Sequence, residues 1–414
     1  LSATIALQQA GEYKDVRRLE AAKGFLEKHG HNINLNASGA TVGYEMIMPM
    51  LLQEATTCHG MASSLGAETP GMTARQKKLQ NLPSRMITRH TTIAHSAEMV
   101  GIDNKHIINW EDLSEDNGSI GFSPAATAYF VSHCPENDKA KAHLESVFLE
   151  SSAPNVSSVD LFETIWSIWN LQQAYPSFDP QLVKEHLDFI ASSWVSGLGT
   201  SFAYGYTPKD GDDSSLAYEV LVRGGRSPDL EAILHYEEAN VFRCFQNEND
   251  PSISTNVHVI GALRQAGYEN THPAVQKAMR YLQEQQQADG WWLDKWHSSP
   301  YYPSAHYVMT AVGYCDNSVV QQTINWIINT QNKDGSWGHT VPTAEETAYS
   351  LMALSHCKRV GYAIDNTVLQ RGKIWLSDHS SETGPALWIG KCLYSPVRVV
   401  ASTVLSALAM VDDC

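Results

Sequence analysis

The stretch YTPKDGDDSSLAYEVL, Tyr206 to Leu221, sets three aspartates, Asp210, Asp212 and Asp213, just ahead of a helical pattern. A solvated turn accounts for the composition, since Gly, Asp and Ser are turn formers and an Asp or Ser at a helix start accepts backbone N–H bonds. A calcium loop is a second reading, but the spacing lacks the alternating ligands and the distal Glu of an EF-hand. The segment alone leaves its chemistry open, so the elements around it have to decide.

Those elements are helical. RRLEAAKGFLEKHG, VDLFETIWSIWNLQQAY, PAVQKAMRYLQEQQQADG and TAEETAYSLMALSHCKRVG carry apolar residues at i, i+3, i+4 and i+7, and several end at Gly or Asn. No two-residue alternation is sustained, so the fold class is all-α. A repeat runs through the second half: Gln286 to Trp292 and Gln331 to Trp337 both spell Q-x-x-D-G-x-W, 45 residues apart (286 to 331), each after one helix and before a loop to another. Its role is structural: Gln caps a neighbouring helix, Asp-Gly makes the turn and Trp buries the joint. Fainter echoes lie at SEDNGSIGF (Ser114 to Phe122) and VSGLGTSFAYG (Val195 to Gly205). Stacked helix pairs of this kind close into α/α barrels.

A chain of 414 residues with 43% hydrophobic content supports two or three domains with sizeable cores. The formal charge of -16, with no basic block, argues against nucleic acid as a partner. Seven scattered cysteines without a C-x-x-C pair fit reduced thiols, hence a cytoplasmic location. No apolar run reaches the ~20 residues of a membrane span and no signal peptide is visible. A chain beginning LSATIALQQ without Met reads as a fragment.

The Q-x-x-D-G-x-W repeat resembles the one shared by squalene-hopene cyclases and the β and γ domains of terpene cyclases. Asp210-Gly211-Asp212-Asp213 matches the D-x-D-D motif of class II terpene cyclases, which begin by protonating an alkene. Further stretches resemble class II diterpene cyclases, the copalyl diphosphate synthases, in the same order: TTIAHSAEMVGID, NGSIGFSPAATAYFV, PNVSSVDLFETIW, PSISTNVHVIGAL, DKWHSSPYYPSAHYV and LWIGKCLYSPVRVV. The resemblance covers nearly the whole chain. It implies two α/α-barrel domains, γ over residues 1–150 and β over 151–414, with the active site between them. The chain starts inside the γ domain by this comparison. Fungal relatives fuse such domains to a prenyltransferase or a class I α domain, but no D-D-x-x-D cluster stands here for class I chemistry. Plant members carry an acidic γ-domain cluster thought to help bind Mg2+; here HNINLNASGATVGYE has no acid until Glu45, so Mg2+ is implied as cofactor with its ligands unassigned.

The resemblance also implies roles. Three clustered carboxylates in a dry cavity cannot all ionise, so one keeps its proton; by the family pattern that donor is Asp212, supported by Asp210 and Asp213. His258 or Asn256 supplies an orienting hydrogen bond, a buried core histidine being the alternative for His258. Trp166, Phe202, Tyr204, Trp296, Tyr301 and Tyr302 are candidate aromatic faces for a carbocation, or core packing. His95 and Asn155 match a pair that holds the deprotonating water in plant ent-copalyl diphosphate synthases, against a surface histidine and a helix cap. Lys295 resembles a lysine that meets the substrate diphosphate; Arg85 and Arg89 could join it or be solvated charge. The implied reaction turns geranylgeranyl diphosphate into a copalyl-type diphosphate, with farnesyl diphosphate and a drimane product as the shorter variant. A non-catalytic prenyl-diphosphate-binding module and an α/α-barrel glycosidase are the rivals. Product stereochemistry and oligomeric state are left open.

Overall fold

The computed structural model describes residues 16–29, 46–51, 70–148, 156–175, 177–246, 248, 250–315 and 317–413. The chain divides into two compact units, Leu1–Ser157 and Ser158–Cys414.

In the first unit lie helices α1 (Val16–His29), α2 (Pro70–Asn81), α3 (Pro124–His133) and α4 (Asp138–Val147), with 3₁₀ turns between α2 and α3, of which Thr92–Val100 packs on α3. Its core gathers Ile87, Ala97, Met99, Val100, Ile107 and Phe130. Ser123 starts α3 by accepting the Ala126 N–H, with Pro124 at the first helical position where a missing N–H costs nothing.

The second unit is built of alternating inner and outer helices. The inner set is α5 (Asp160–Ala174), α7 (Gly211–Arg223), α9 (Ile253–Gln265), α11 (Tyr301–Ala311), α13 (Ala344–Arg359) and α15 (Val397–Asp412). Each packs on the next, and α15 packs back on α5, so the ring closes. Outside it lie α6 (Lys184–Ser193), α8 (Glu231–Leu234), α10 (Pro273–Gln285), α12 (Asn317–Asn329) and α14 (Asn366–His379). Sequence pattern explains the division. Outer α10 buries only Ala274, Val275, Ala278 and Leu282, one stripe at helical spacing. Inner α11 buries all of its residues, and its apolar character runs round the helix. The only strands among the described residues form a hairpin, β1 (Trp388–Ile389) antiparallel to β2 (Leu393–Tyr394).

The Q-x-x-D-G-x-W repeats do the structural work read from them. Trp292 and Trp337 are fully buried, and their indole N–H groups donate to carbonyls ten residues back, Leu282 O and Ile327 O, each at 2.7 Å. Gly290 (φ 99°) and Gly335 (φ 100°) take the left-handed turn, and a Cβ at either would strike backbone of the next outer helix, at Gln322 or Arg371. The two Trp backbone N–H groups donate to Ser304 Oγ at 3.2 Å and Thr347 Oγ1 at 3.0 Å on the inner helices that follow. Thr200, in the faint echo, repeats the arrangement with its N–H on Ser214 Oγ at 2.9 Å. The repeat's turn thus fixes where inner helix α7 begins.

Candidate active site

The DGDD motif sits at that beginning. Asp210 is the N-cap of α7: its Oδ1 accepts the Asp213 N–H at 2.8 Å. The turn reading is therefore correct for Asp210, but the loop is not solvated, because Asp210, Asp212 and Asp213 are 1%, 7% and 7% exposed. Asp210 Oδ2 and Asp213 Oδ1 are buried with no partner while both carboxylates are ionised. One proton between them removes the conflict, and the electrostatics agree. Burial first, then the neighbouring carboxylates, push Asp213 well above the usual range. Burial raises Asp210 to about 7, with Asp212 adding to the rise and hydrogen bonds from Asp213 opposing it.

Asp212 is held differently. Its Oδ1 lies 2.7 Å from His258 Nδ1, and His258 is fully buried on α9. Oδ2 has no hydrogen bond among the described residues. His258 Nε2 in turn faces His306 Nδ1 at 3.0 Å. Rings enclose this line: Trp166 stands edge-on to His258 at 5.4 Å, and Trp169 stacks on His306 at 4.5 Å. Tyr302 packs on His306 at 4.4 Å and accepts the Trp166 indole N–H at 3.0 Å. Trp388, from the hairpin, continues the wall 4.7 Å from Tyr302. A second buried carboxylate closes it. Glu345 Oε1 accepts from Trp388 Nε1 at 2.8 Å, His297 Nε2 at 3.2 Å and Tyr349 Oη at 3.3 Å. Glu345 occupies on α13 the place of Asp212 on α7, since Thr343 caps α13 by accepting the Glu346 N–H as Asp210 accepts that of Asp213.

The other residues singled out in the sequence fall in several places. His258, Trp166 and Tyr302 meet at the acid. Asn256 does not: its amide is spent on the backbone, accepting the Phe242 N–H at 3.1 Å and donating to Phe242 O and Ser252 O at 2.9 Å each. Two positions along a helix turn a side chain by about 200°, which carries Asn256 away from the face His258 uses. Tyr301 is buried against Trp326, on the outer-helix side, 4.7 Å away. Tyr204 is half exposed and stacks on Phe189, while Phe202 packs on Tyr206. Lys295 is buried, with Glu248 Oε2 and Asp250 O each 2.5 Å from its Nζ, and lies over the Trp296 ring at 4.9 Å. In the first unit, Arg85 pairs with Glu111 and Asn109, and Arg89 with Asp116 and Asp112. His95 Nδ1 donates to Gly121 O at 2.8 Å. Asn155 and Glu45 lie outside the described residues.

Sequence reasoning missed His306, Trp169, Trp388, Glu345 and His297. One signal was available for His306: it sits in PSAHYV on an inner helix, as His258 sits in STNVHV on another. Among the described residues no three His, Cys, Asp or Glu side chains gather so as to hold a metal ion. No helix among them is long and apolar enough to cross a membrane.

The closed ring of inner helices thus makes an α/α barrel with a buried aspartate cluster at the start of one inner helix. A family model for the squalene-hopene cyclase C-terminal domain matches residues 243–389. The chain is 40% identical over 394 residues to a type B diterpene cyclase of Mycobacterium tuberculosis, covering 92% of this chain and 78% of the relative. It is 30% identical over 436 residues to an ent-copalyl diphosphate synthase of a Streptomyces species, covering 99% and 82%. Among solved structures, the ent-copalyl diphosphate synthase from Streptomyces platensis superposes with a TM-score of 0.75 at 26% identity, over 90% of this chain and 77% of that one. The chain belongs to the class II diterpene cyclase family. These relatives lend no support to a fungal source, and the family excludes the glycosidase reading.

Proposed function

We propose that the protein cyclises geranylgeranyl diphosphate to a copalyl-type bicyclic diphosphate and that Asp212 is the proton donor. The observation that carries this is the buried Asp212, with Oδ1 held by His258 at 2.7 Å and Oδ2 unengaged.

The chemistry follows from that asymmetry. With its proton on Oδ2, Asp212 gives it to the terminal alkene: the O–H bond breaks, a C–H bond forms and the positive charge moves to the neighbouring carbon. The His258 N–H on Oδ1 stabilises the carboxylate left behind and so strengthens the acid. The proton shared by Asp210 and Asp213 limits the negative charge beside it. Ring closures consume the alkenes, the wall of Trp166 and Tyr302 faces the cation, and loss of a proton ends the sequence. We assign that step to water held by His95 and Asn155, on the resemblance. The carbon–oxygen bond to the diphosphate is untouched. Mg2+ stays in the proposal as a companion of the diphosphate, with no step drawn through it. The single, scattered thiols support a cytoplasmic location.

Incubation with geranylgeranyl diphosphate, then phosphatase treatment and mass spectrometry, tests the reading. A bicyclic alcohol supports it; unchanged geranylgeraniol, or turnover of farnesyl diphosphate alone, refutes it.

A further inference from the structure

Both ring nitrogens of His258 are engaged, Nδ1 with Asp212 at 2.7 Å and Nε2 with His306 Nδ1 at 3.0 Å. A neutral imidazole carries one N–H, so this line of groups must run one way or the other. We propose that His306 is the positioning residue of the acid: its Nδ1–H donates to His258 Nε2, which obliges His258 to carry its own hydrogen on Nδ1 and present it to Asp212 Oδ1. The inference rests on Asp212 being the cyclising acid and deepens that reading.

The two polarities differ in what they leave behind. With His306 donating, the unpartnered atom is the His306 Nε2 lone pair, which is indeed buried without a partner. In the reverse polarity that nitrogen carries a buried N–H with no acceptor, and orphaned donors are the rarer case. The reverse polarity also turns the Asp212 proton toward His258 and away from the alkene. An imidazolium at His306 has the same orphaned N–H, and burial with His258 and His297 nearby holds this ring's basicity well below the ordinary range. Ring rotation is blocked by Trp169 stacked at 4.5 Å and 13°, Tyr302 at 4.4 Å, and Tyr349 edge-on at 5.9 Å.

Three variants separate donation from bulk. An Asn side chain can place its amide N–H where Nδ1 stands, a Gln places it near Nε2, and Phe keeps the ring and removes both. His306→Phe and His306→Gln should lose about 10²-fold in kcat with KM changed less than about 3-fold, while His306→Asn stays within about 10-fold of wild type. Nitrogen-15 histidine labelling, with the His258 signals assigned by their loss in His258→Phe, should show hydrogen on Nδ1 in wild type and His306→Asn, and on Nε2 or both nitrogens in the other two. Wild-type kcat in His306→Phe or His306→Gln, or an unchanged His258 tautomer in every variant, overturns the proposal. If the tautomer responds to His306 while geranylgeranyl diphosphate is not cyclised by the wild type, the positioning stands and the substrate reading falls.

Discussion

Lys295 Nζ lies 2.5 Å from Glu248 Oε2, with both side chains almost wholly buried. Glu248 Oε1 accepts the Cys244 N–H at 2.7 Å, and Cys244 O accepts the Gly211 N–H at 2.8 Å, so the ion pair props the backbone under DGDD. Removing one partner leaves a buried charge uncompensated. Lys295→Ala should destabilise the fold by about 3–5 kcal/mol, and the paired change Lys295→Met with Glu248→Gln should recover most of that. Urea unfolding of the wild type and both variants measures it; an unaltered midpoint for Lys295→Ala would assign this lysine to the diphosphate instead.

Asp212→Asn keeps the shape and removes the acid, so cyclisation should fall by at least about 10²-fold with little change in KM. His258→Phe should fall in the same direction by losing the N–H that supports the departing proton. Steady-state kinetics on both variants, with bicyclic alcohol as the measured product, decides.

The Asp210 and Asp213 pair sets a pH window. Asp210 is raised to about 7 and Asp213 is also raised well above the ordinary value near 4. In that window the folded state binds more protons than the unfolded one, so stability is greatest at low pH and is lost as pH rises toward 7, by roughly 1.4 kcal/mol per pH unit per proton. The kcat should decline above about pH 7 for the same reason, because a second negative charge beside Asp212 weakens it as an acid. Asp210→Asn keeps the capping oxygen, and it should flatten the stability slope and move the decline upward. Profiles identical to wild type would show that the pair does not share a proton.

Gly335 is a backbone requirement. A Cβ there would lie 2.5 Å from Arg371 O at φ 100°, so Gly335→Ala should cost about 1–3 kcal/mol, with the product unchanged where the chain folds. An altered product mixture would give the repeat a catalytic part that its buried Trp does not suggest.

His95→Ala and Asn155→Ala should free the terminating water to attack the cation, so that part of the bicyclic product is hydroxylated while substrate consumption falls less than in Asp212→Asn. Parent product at ordinary rates from both would make the pair structural.

Much of the fold could be read from the chain because helical periodicity and a Gly-centred turn are local signals: Gly290 and Gly335 mark turns that only a left-handed residue can make. The acid was legible for a different reason: the three carboxylates alone fit a solvated turn, and it was the resemblance of Asp210-Gly211-Asp212-Asp213 to the D-x-D-D motif that singled out Asp212. His306, Trp388 and Glu345 were not legible, because each acquires its role from a helix or hairpin far away in sequence. Lys295 and Asn256 show the opposite limit: a resemblance in DKWH and a place in STNVH marked them as site residues, yet Glu248 and the Phe242 backbone, their partners, are fixed by folding alone.

The most direct test of the account is the isotopic mass of the product made in D2O. Protonation by a solvent-exchanged Asp212 predicts one non-exchangeable deuterium in the bicyclic alcohol after phosphatase treatment, none of that product from Asp212→Asn, and no inorganic diphosphate released during turnover. A product of unshifted mass, or diphosphate release in step with its formation, would contradict it.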